Sequence, residues 1–159
     1  MKNSLITIIF LFVTLTIFSQ KKYLKKYSNE GVLEEQGWMN NENKIGYWTF
    51  YHKNGNIKKQ GHFEDNYPVK YWYFYREDGS LEKEGHYING KQNNWWVFYD
   101  NDQNIDYKCQ LKDNIKEGYY LLYEKNKLIK ALRFNNNKKV KEWTSFSAFR
   151  KENNLSDLK

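Results

Sequence analysis

The chain has 159 residues, a net charge of +7 and an aromatic content of 19%. That length suits one domain with a sizeable buried surface. Cys109 is the only cysteine, which excludes an internal disulfide and leaves packing to stabilise the fold. The lysines are scattered and meet Glu or Asp at almost every turn, with a small cluster only at Lys138, Lys139 and Lys141. This pattern argues for a solvated surface and against a nucleic-acid partner.

Residues 1–19 differ from the rest. Lys2 precedes an uncharged apolar stretch, Leu5 to Phe18, and Ser19-Gln20 lead into Lys21-Lys22. The stretch falls short of the roughly 20 residues a membrane span needs and has the form of a secretory signal peptide, with Ile17 and Ser19 at the −3 and −1 positions. An uncleaved N-terminal anchor and a buried core helix are the rival readings. The expected location is therefore outside the cytosol, periplasmic or secreted, with any membrane association peripheral.

From Lys22 to about Phe146 the chain repeats itself. Tyr27, Tyr51, Tyr75, Tyr99 and Tyr123 recur every 24 residues, preceded three positions earlier by Leu24, Trp48, Trp72, Trp96 and Tyr120. Gly31, Gly55 and Gly79 share a second column, continued by Gln103; Gly37, Gly61 and Gly85 share a third, continued by Cys109. Leu33, Ile57, Leu81 and Ile105 form an aliphatic column. The fifth unit loses one residue near Lys127, after which Leu128 and Phe134 rejoin the register, and Trp143 with Phe146 begin a partial sixth. Such a period denotes a stacked array.

Each unit reads as a β-hairpin. "YWYFY" at 71–75 is rich in strand formers. "REDG" then supplies turn chemistry, and Leu81 to Tyr87 alternates with period two. "INGK" closes the unit with a second turn signal. Turns every ten or so residues leave no room for helices. Alternation places Trp48/Phe50, Trp72/Phe74 and Trp96/Phe98 on one face, and Tyr47/Tyr51, Tyr71/Tyr75, Trp95/Tyr99 and Tyr119/Tyr123 on the other. The more apolar Trp and Phe set is expected to pack inward. The interior glycines Gly61 and Gly85 leave room for a neighbouring ring to lie across the backbone.

The pattern "GYWTFYHKNGNIKKQGHFEDN" and its copies resemble the variant MORN repeat of bacterial proteins, over about Lys22 to Phe146. The resemblance implies an elongated, curved, single-layer meander of antiparallel β-hairpins that serves as a scaffold or binding surface without catalytic residues. Many such chains carry an antitoxin label. Gln103, Cys109 and the shortened fifth turn depart from the pattern. A second, partial resemblance is to choline-binding cell-wall repeats, whose unit is shorter.

Catalytic constellations are scarce. His62 and His86 occupy one repeat column, so a zinc or copper site is conceivable, but two histidines lack a third ligand and repeat copying accounts for them; His52 stands apart. Cys109 replaces a glycine and reads as a small buried thiol. Glu82 and Glu84 read as a solvated pair, with no sign of the cleft a glycosidase needs. No nucleophile elbow, zinc-protease or phosphate-loop motif is present. Neither a metal nor a cofactor is expected, and no enzymatic activity.

After Phe146 the repeat ends. Ser145 is a candidate cap, and Phe146 and Phe149 have helical spacing, so residues 147–159 are expected to form a short helix or irregular cap over the last hairpin, then a tail. The functional expectation is an exported, non-enzymatic repeat protein that holds a protein partner or an envelope polymer. Alternatives are the antitoxin of a toxin–antitoxin pair and an aromatic-lined glycan or cell-wall binder. The candidate ligand-binding residues are Tyr47, Tyr51, Tyr71, Tyr75, Trp95, Tyr99, Tyr119 and Tyr123, expected to stay partly exposed with their hydroxyls available.

Overall fold

The computed structural model describes residues 20–154; residues 1–19, expected to be a signal peptide, and the last five residues lie outside them. The fold is all-β. Eleven strands follow one another as β1 (Lys21–Tyr27), β2 (Leu33–Asn40), β3 (Asn43–Tyr51), β4 (Ile57–Glu64), β5 (Tyr67–Tyr75) and β6 (Leu81–Ile88). The series continues with β7 (Lys91–Tyr99), β8 (Ile105–Lys112), β9 (Ile115–Glu124), β10 (Lys127–Asn135) and β11 (Lys138–Trp143), and a short helix α1 (Phe146–Glu152) ends it. All strands belong to one open sheet in sequence order, each antiparallel to the next. At the usual strand spacing the sheet is roughly 48 Å across its hydrogen-bonding direction.

Two kinds of turn build this meander. Asp65-Asn66, Asn89-Gly90, Asp113-Asn114, Lys125-Asn126 and Asn136-Asn137 are two-residue turns with positive φ at both positions, the geometry whose twist matches paired strands. All of these but Lys125-Asn126 lie at one end of the strands; the other end carries longer loops, in which Gly31, Gly55 and Gly79 take φ of +81°, +86° and +88°. Gln103 adopts the same left-handed conformation at +64°. Its Oε1 accepts from the Leu81 amide at 3.0 Å, tying its loop to the preceding one. Similar bonds run along both ends of the strands: Asn126 Oδ1 accepts from Ile105 N at the loop end, and at the other end Asn66 Oδ1 accepts from Lys44 N, Asn114 Oδ1 from Gln92 N and Asn137 Oδ1 from Lys116 N. Each turn therefore locks the register of the hairpin before it.

A single-layer sheet must find its core in its own side chains. Trp48, Trp72 and Trp96 are 0%, 2% and 0% exposed. Each indole lies flat over a glycine of the preceding strand. A Cβ built on Gly37, Gly61 or Gly85 would sit 2.3–2.4 Å from the Cδ2 of Trp48, Trp72 or Trp96 respectively. The indole nitrogens are satisfied as well, Trp72 Nε1 donating to the carbonyls of His62 and Val69 at 3.2 Å each. Phe50, Phe63, Phe74, Tyr87 and Phe98 fill the spaces between the indoles at centroid distances of 5.0–6.5 Å. Lys44, Lys59 and Lys83 lay their ammonium groups over the same rings. The inward packing expected for the tryptophans is thus observed, with the phenylalanines half-buried beside them.

Both sheet edges are rich in lysine. β1 carries Lys21, Lys22, Lys25 and Lys26, and β11 carries Lys138, Lys139 and Lys141. Lysines on an open edge discourage pairing with another chain, which gives the C-terminal lysine cluster a structural reason. The chain's short helix lies over the last hairpin. α1 packs on β10 and β11, with Phe149 fully buried among Tyr119, Leu121, Ala131 and Trp143 on the sheet's face, and β11 remains the edge strand of the sheet. Ser145 caps α1 by accepting from the Ala148 amide. Phe149 anchors the helix, whereas Phe146 stays exposed.

Candidate binding face

The sheet's second face is aromatic but polar. Across it runs a row of residues that sit opposite one another on neighbouring strands: Tyr23 with Trp38, Tyr47 with His62, Tyr71 with His86, Trp95 with Gln110 and Tyr119 with Arg133. The rings meet edge to face, at 5.3 Å for Tyr23–Trp38, 5.0 Å for Tyr47–His62 and 4.7 Å for Tyr71–His86.

A bulge positions Tyr47, Tyr71, Trp95 and Tyr119 of this row. Gly46, Lys70, Asn94 and Gly118 form one repeat column and all have positive φ, from +61° to +100°. At each of them the strand gains two residues over its predecessor: Gly37 and Trp38 face Trp48 and Ile45, and Gly85 and His86 face Trp96 and Asn93. Bulges re-aim side chains, and here the residue after the left-handed one is Tyr47, Tyr71, Trp95 or Tyr119. At the last bulge, Gln110 Oε1 accepts from the Tyr119 amide at 2.8 Å and lies 2.1 Å from where a Gly118 Cβ would be. The glycines of this column at 46 and 118 were the only sequence signal, and Lys70 and Asn94 obscure it.

A second row corrects the expectation of free hydroxyls. Gln36 donates to the Tyr51 hydroxyl, and Gln60 Nε2 donates to that of Tyr75 at 2.9 Å. In the next unit Tyr99 donates to Glu84 Oε1 at 2.7 Å. These phenols join neighbouring strands. Glu84 is accordingly half-buried among tyrosines, and only Glu82 is the solvated carboxylate expected of the pair. Burial, reinforced by Glu84, pushes the Tyr71 phenol up to about 12. Tyr99 is raised as well, first by burial and then by its bond to Glu84. In the fourth unit Lys108 takes the column, its ammonium over the Tyr123 ring.

Exposure falls along the face from the N-terminal end. Tyr23, Trp38 and Tyr47 are 48%, 47% and 42% exposed. Tyr71, Tyr75, Trp95 and Tyr99 are half-buried. The row ends under α1, where Tyr119 is 9% exposed, packs edge to face on Phe149 and donates to Asn153 Oδ1. Tyr119 is therefore a core residue, correcting its expected exposure, and Trp95 and Tyr123 pack against the same cluster. Tyr23 and Trp38, which sequence reasoning omitted, are among the most open aromatics of the face.

His62 and His86 sit two strands apart, each against its tyrosine. Burial and the nearby Lys70 lower the His62 imidazole below its ordinary value, against the opposing pull of Glu64, so it is neutral near pH 7. No group of three His, Cys, Asp or Glu suited to a metal occurs among the described residues. Cys109 is buried opposite Trp96 and Tyr120, and burial pushes its thiol up to about 11 against a weaker pull from Lys116. A thiol so placed is a poor nucleophile. Among the described residues no helix is long and apolar enough to cross a membrane. No family model matches the chain, and no curated protein matches it.

Proposed function

We propose that this protein is an exported, non-enzymatic repeat scaffold that holds a protein or envelope polymer on its tyrosine face. One observation carries the reading: the open aromatics Tyr23, Trp38 and Tyr47 lie together on that face, while the indoles of the other face are sealed. Tyrosine and tryptophan give large contact area at low entropic cost and dominate recognition surfaces. The apolar leader at 1–19 supports export, and the resemblance to variant MORN repeats supports a scaffold role. Retention of a partner from envelope extract by the protein starting at Gln20, and its loss in a W38A/Y47A variant with unchanged melting, is the expected result. Equal retention by the variant would refute the assignment to this face. Mass spectrometry of the native protein tests export, with a terminus at Gln20 or Lys21 expected and an intact Met1 in the membrane fraction contradicting it.

A further inference from the structure

The tyrosine-face row alternates two kinds of group. Aromatic rings stand at Tyr47 on β3, Tyr71 on β5 and Trp95 on β7, preceded by Trp38 on β2. Imidazoles of His62 and His86 stand on the intervening strands β4 and β6. Successive strands are ~4.8 Å apart, and rings on every second strand therefore recur at ~9.6 Å. The smaller step is close to the length of one pyranose unit in an extended β-linked chain. The larger step is close to the distance after which such a chain presents the same ring face again. Stacking platforms and hydrogen-bonding groups thus alternate in step with the sugar units.

Charge separates this ligand from its competitors. The chain carries +7, but from Trp38 to Trp95 the row's members include no acidic or basic residue beyond the two histidines, and burial, with Lys70 nearby and against the pull of Glu64, holds His62 toward its neutral form. An anionic membrane surface or an acidic peptide would find counter-charges at the lysine-bearing edges and on the opposite face, where Lys44, Lys59 and Lys83 lie over rings, whereas on this face Lys108 lies beyond the row, over the Tyr123 ring. A neutral imidazole both donates and accepts, as a sugar hydroxyl does. From β2 to β7 the row is roughly 24 Å long, about five sugar units.

We propose that Trp38, Tyr47, His62, Tyr71, His86 and Trp95 form a linear site for an uncharged, extended chain of β-linked pyranose sugars lying across the strands. This rests on the scaffold reading and names the class of envelope polymer involved. The site ends where α1 covers Tyr119.

The test is a titration of tryptophan fluorescence with cellohexaose and chitohexaose, and with their disaccharides, on the protein starting at Gln20. Saturable binding of a hexasaccharide is expected, at least about tenfold tighter than its disaccharide and at least about tenfold weaker in W38A/Y47A, which removes two aromatic anchors. Both residues are open to solvent, so melting should hold in the variant. The exposed His86→Ala variant gives the same comparison should it not. Failure of both hexasaccharides to bind, or equal binding by the variants, overturns the proposal. If an envelope protein is still retained in the pull-down, the scaffold reading survives that failure; if nothing is retained, both fall.

Discussion

Gly61→Ala places one methyl group where the structure has none to spare. The glycine lies outside the left-handed φ range, so the substitution adds no left-handed strain. The new Cβ would lie 2.3 Å from Trp72 Cδ2 and 2.4 Å from Cε2, and the indole would have to retreat by more than an ångström to reach ordinary contact. It has nowhere to go. Its nitrogen is bonded to two carbonyls, and Phe50, Phe63, Phe74 and Tyr87 surround it at 5.0–6.3 Å. Overpacking of this kind costs about 1–3 kcal/mol, and partial exposure of an otherwise buried indole adds about 1 kcal/mol more. The expected loss is about 2–4 kcal/mol, a fall in Tm of roughly 6–16 °C for a domain of this size, read by urea and thermal denaturation. Gly79→Ala is the control. Nothing lies within 4 Å of its Cβ, but its φ is +88°, so only backbone strain of about 1 kcal/mol is expected. A Gly61→Ala protein within about 0.5 kcal/mol of the parent, or one more stable than Gly79→Ala, would refute the ring-over-glycine core.

Three further outcomes follow from the same geometry. Lys70→Gly relieves a left-handed lysine (φ +62°) and should raise stability by up to about 1 kcal/mol, seen as a higher urea midpoint. The Tyr71 phenol, raised to about 12 from an ordinary 10.0, binds its proton more tightly in the folded chain. Its stabilisation is therefore complete below pH 10 and is lost as pH rises from 10 towards 12; stability measured across that window should fall, and less steeply in Tyr71→Phe. Deleting residues 70–93 joins two equivalent bulges and should leave a folded, shorter β protein, because the substantial packing of each strand is with its chain neighbours. Deleting only twelve residues interrupts the order of the hairpins and should aggregate, and circular dichroism with size-exclusion chromatography distinguishes the two.

Much of this architecture was legible because a 24-residue period constrains every copy at once. The five-aromatic run at 71–75 had to split between two faces, and the glycines at 37, 61 and 85 had to sit beside an indole. Ser145 and Phe149 marked the terminal helix. The phenol partners were harder to read. Gln36, Gln60 and Glu84 form a column, but only the register of adjacent strands shows that they meet Tyr51, Tyr75 and Tyr99. Lys70 concealed the bulges, since lysine rarely takes a left-handed backbone, and Asn94, which tolerates it, stands inside a strand pattern with no turn signal beside it. The burial of Tyr119 depends on where α1 folds back, a contact between residues 30 apart that no local pattern encodes.

The central claim is a division of labour between the two faces, and one paired comparison tests it. Trp72→Ala empties a site that is 2% exposed, whereas W38A/Y47A truncates rings that are 47% and 42% exposed. Thermal melting and retention of the envelope partner should be measured on both proteins, with retention normalised to the folded fraction. Trp72→Ala is predicted to lose about 3–5 kcal/mol and to keep its binding per folded molecule. W38A/Y47A is predicted to melt within about 1 kcal/mol of the parent and to lose the partner. Loss of both properties in both proteins, or binding that follows Trp72 and ignores Trp38 and Tyr47, would contradict the account.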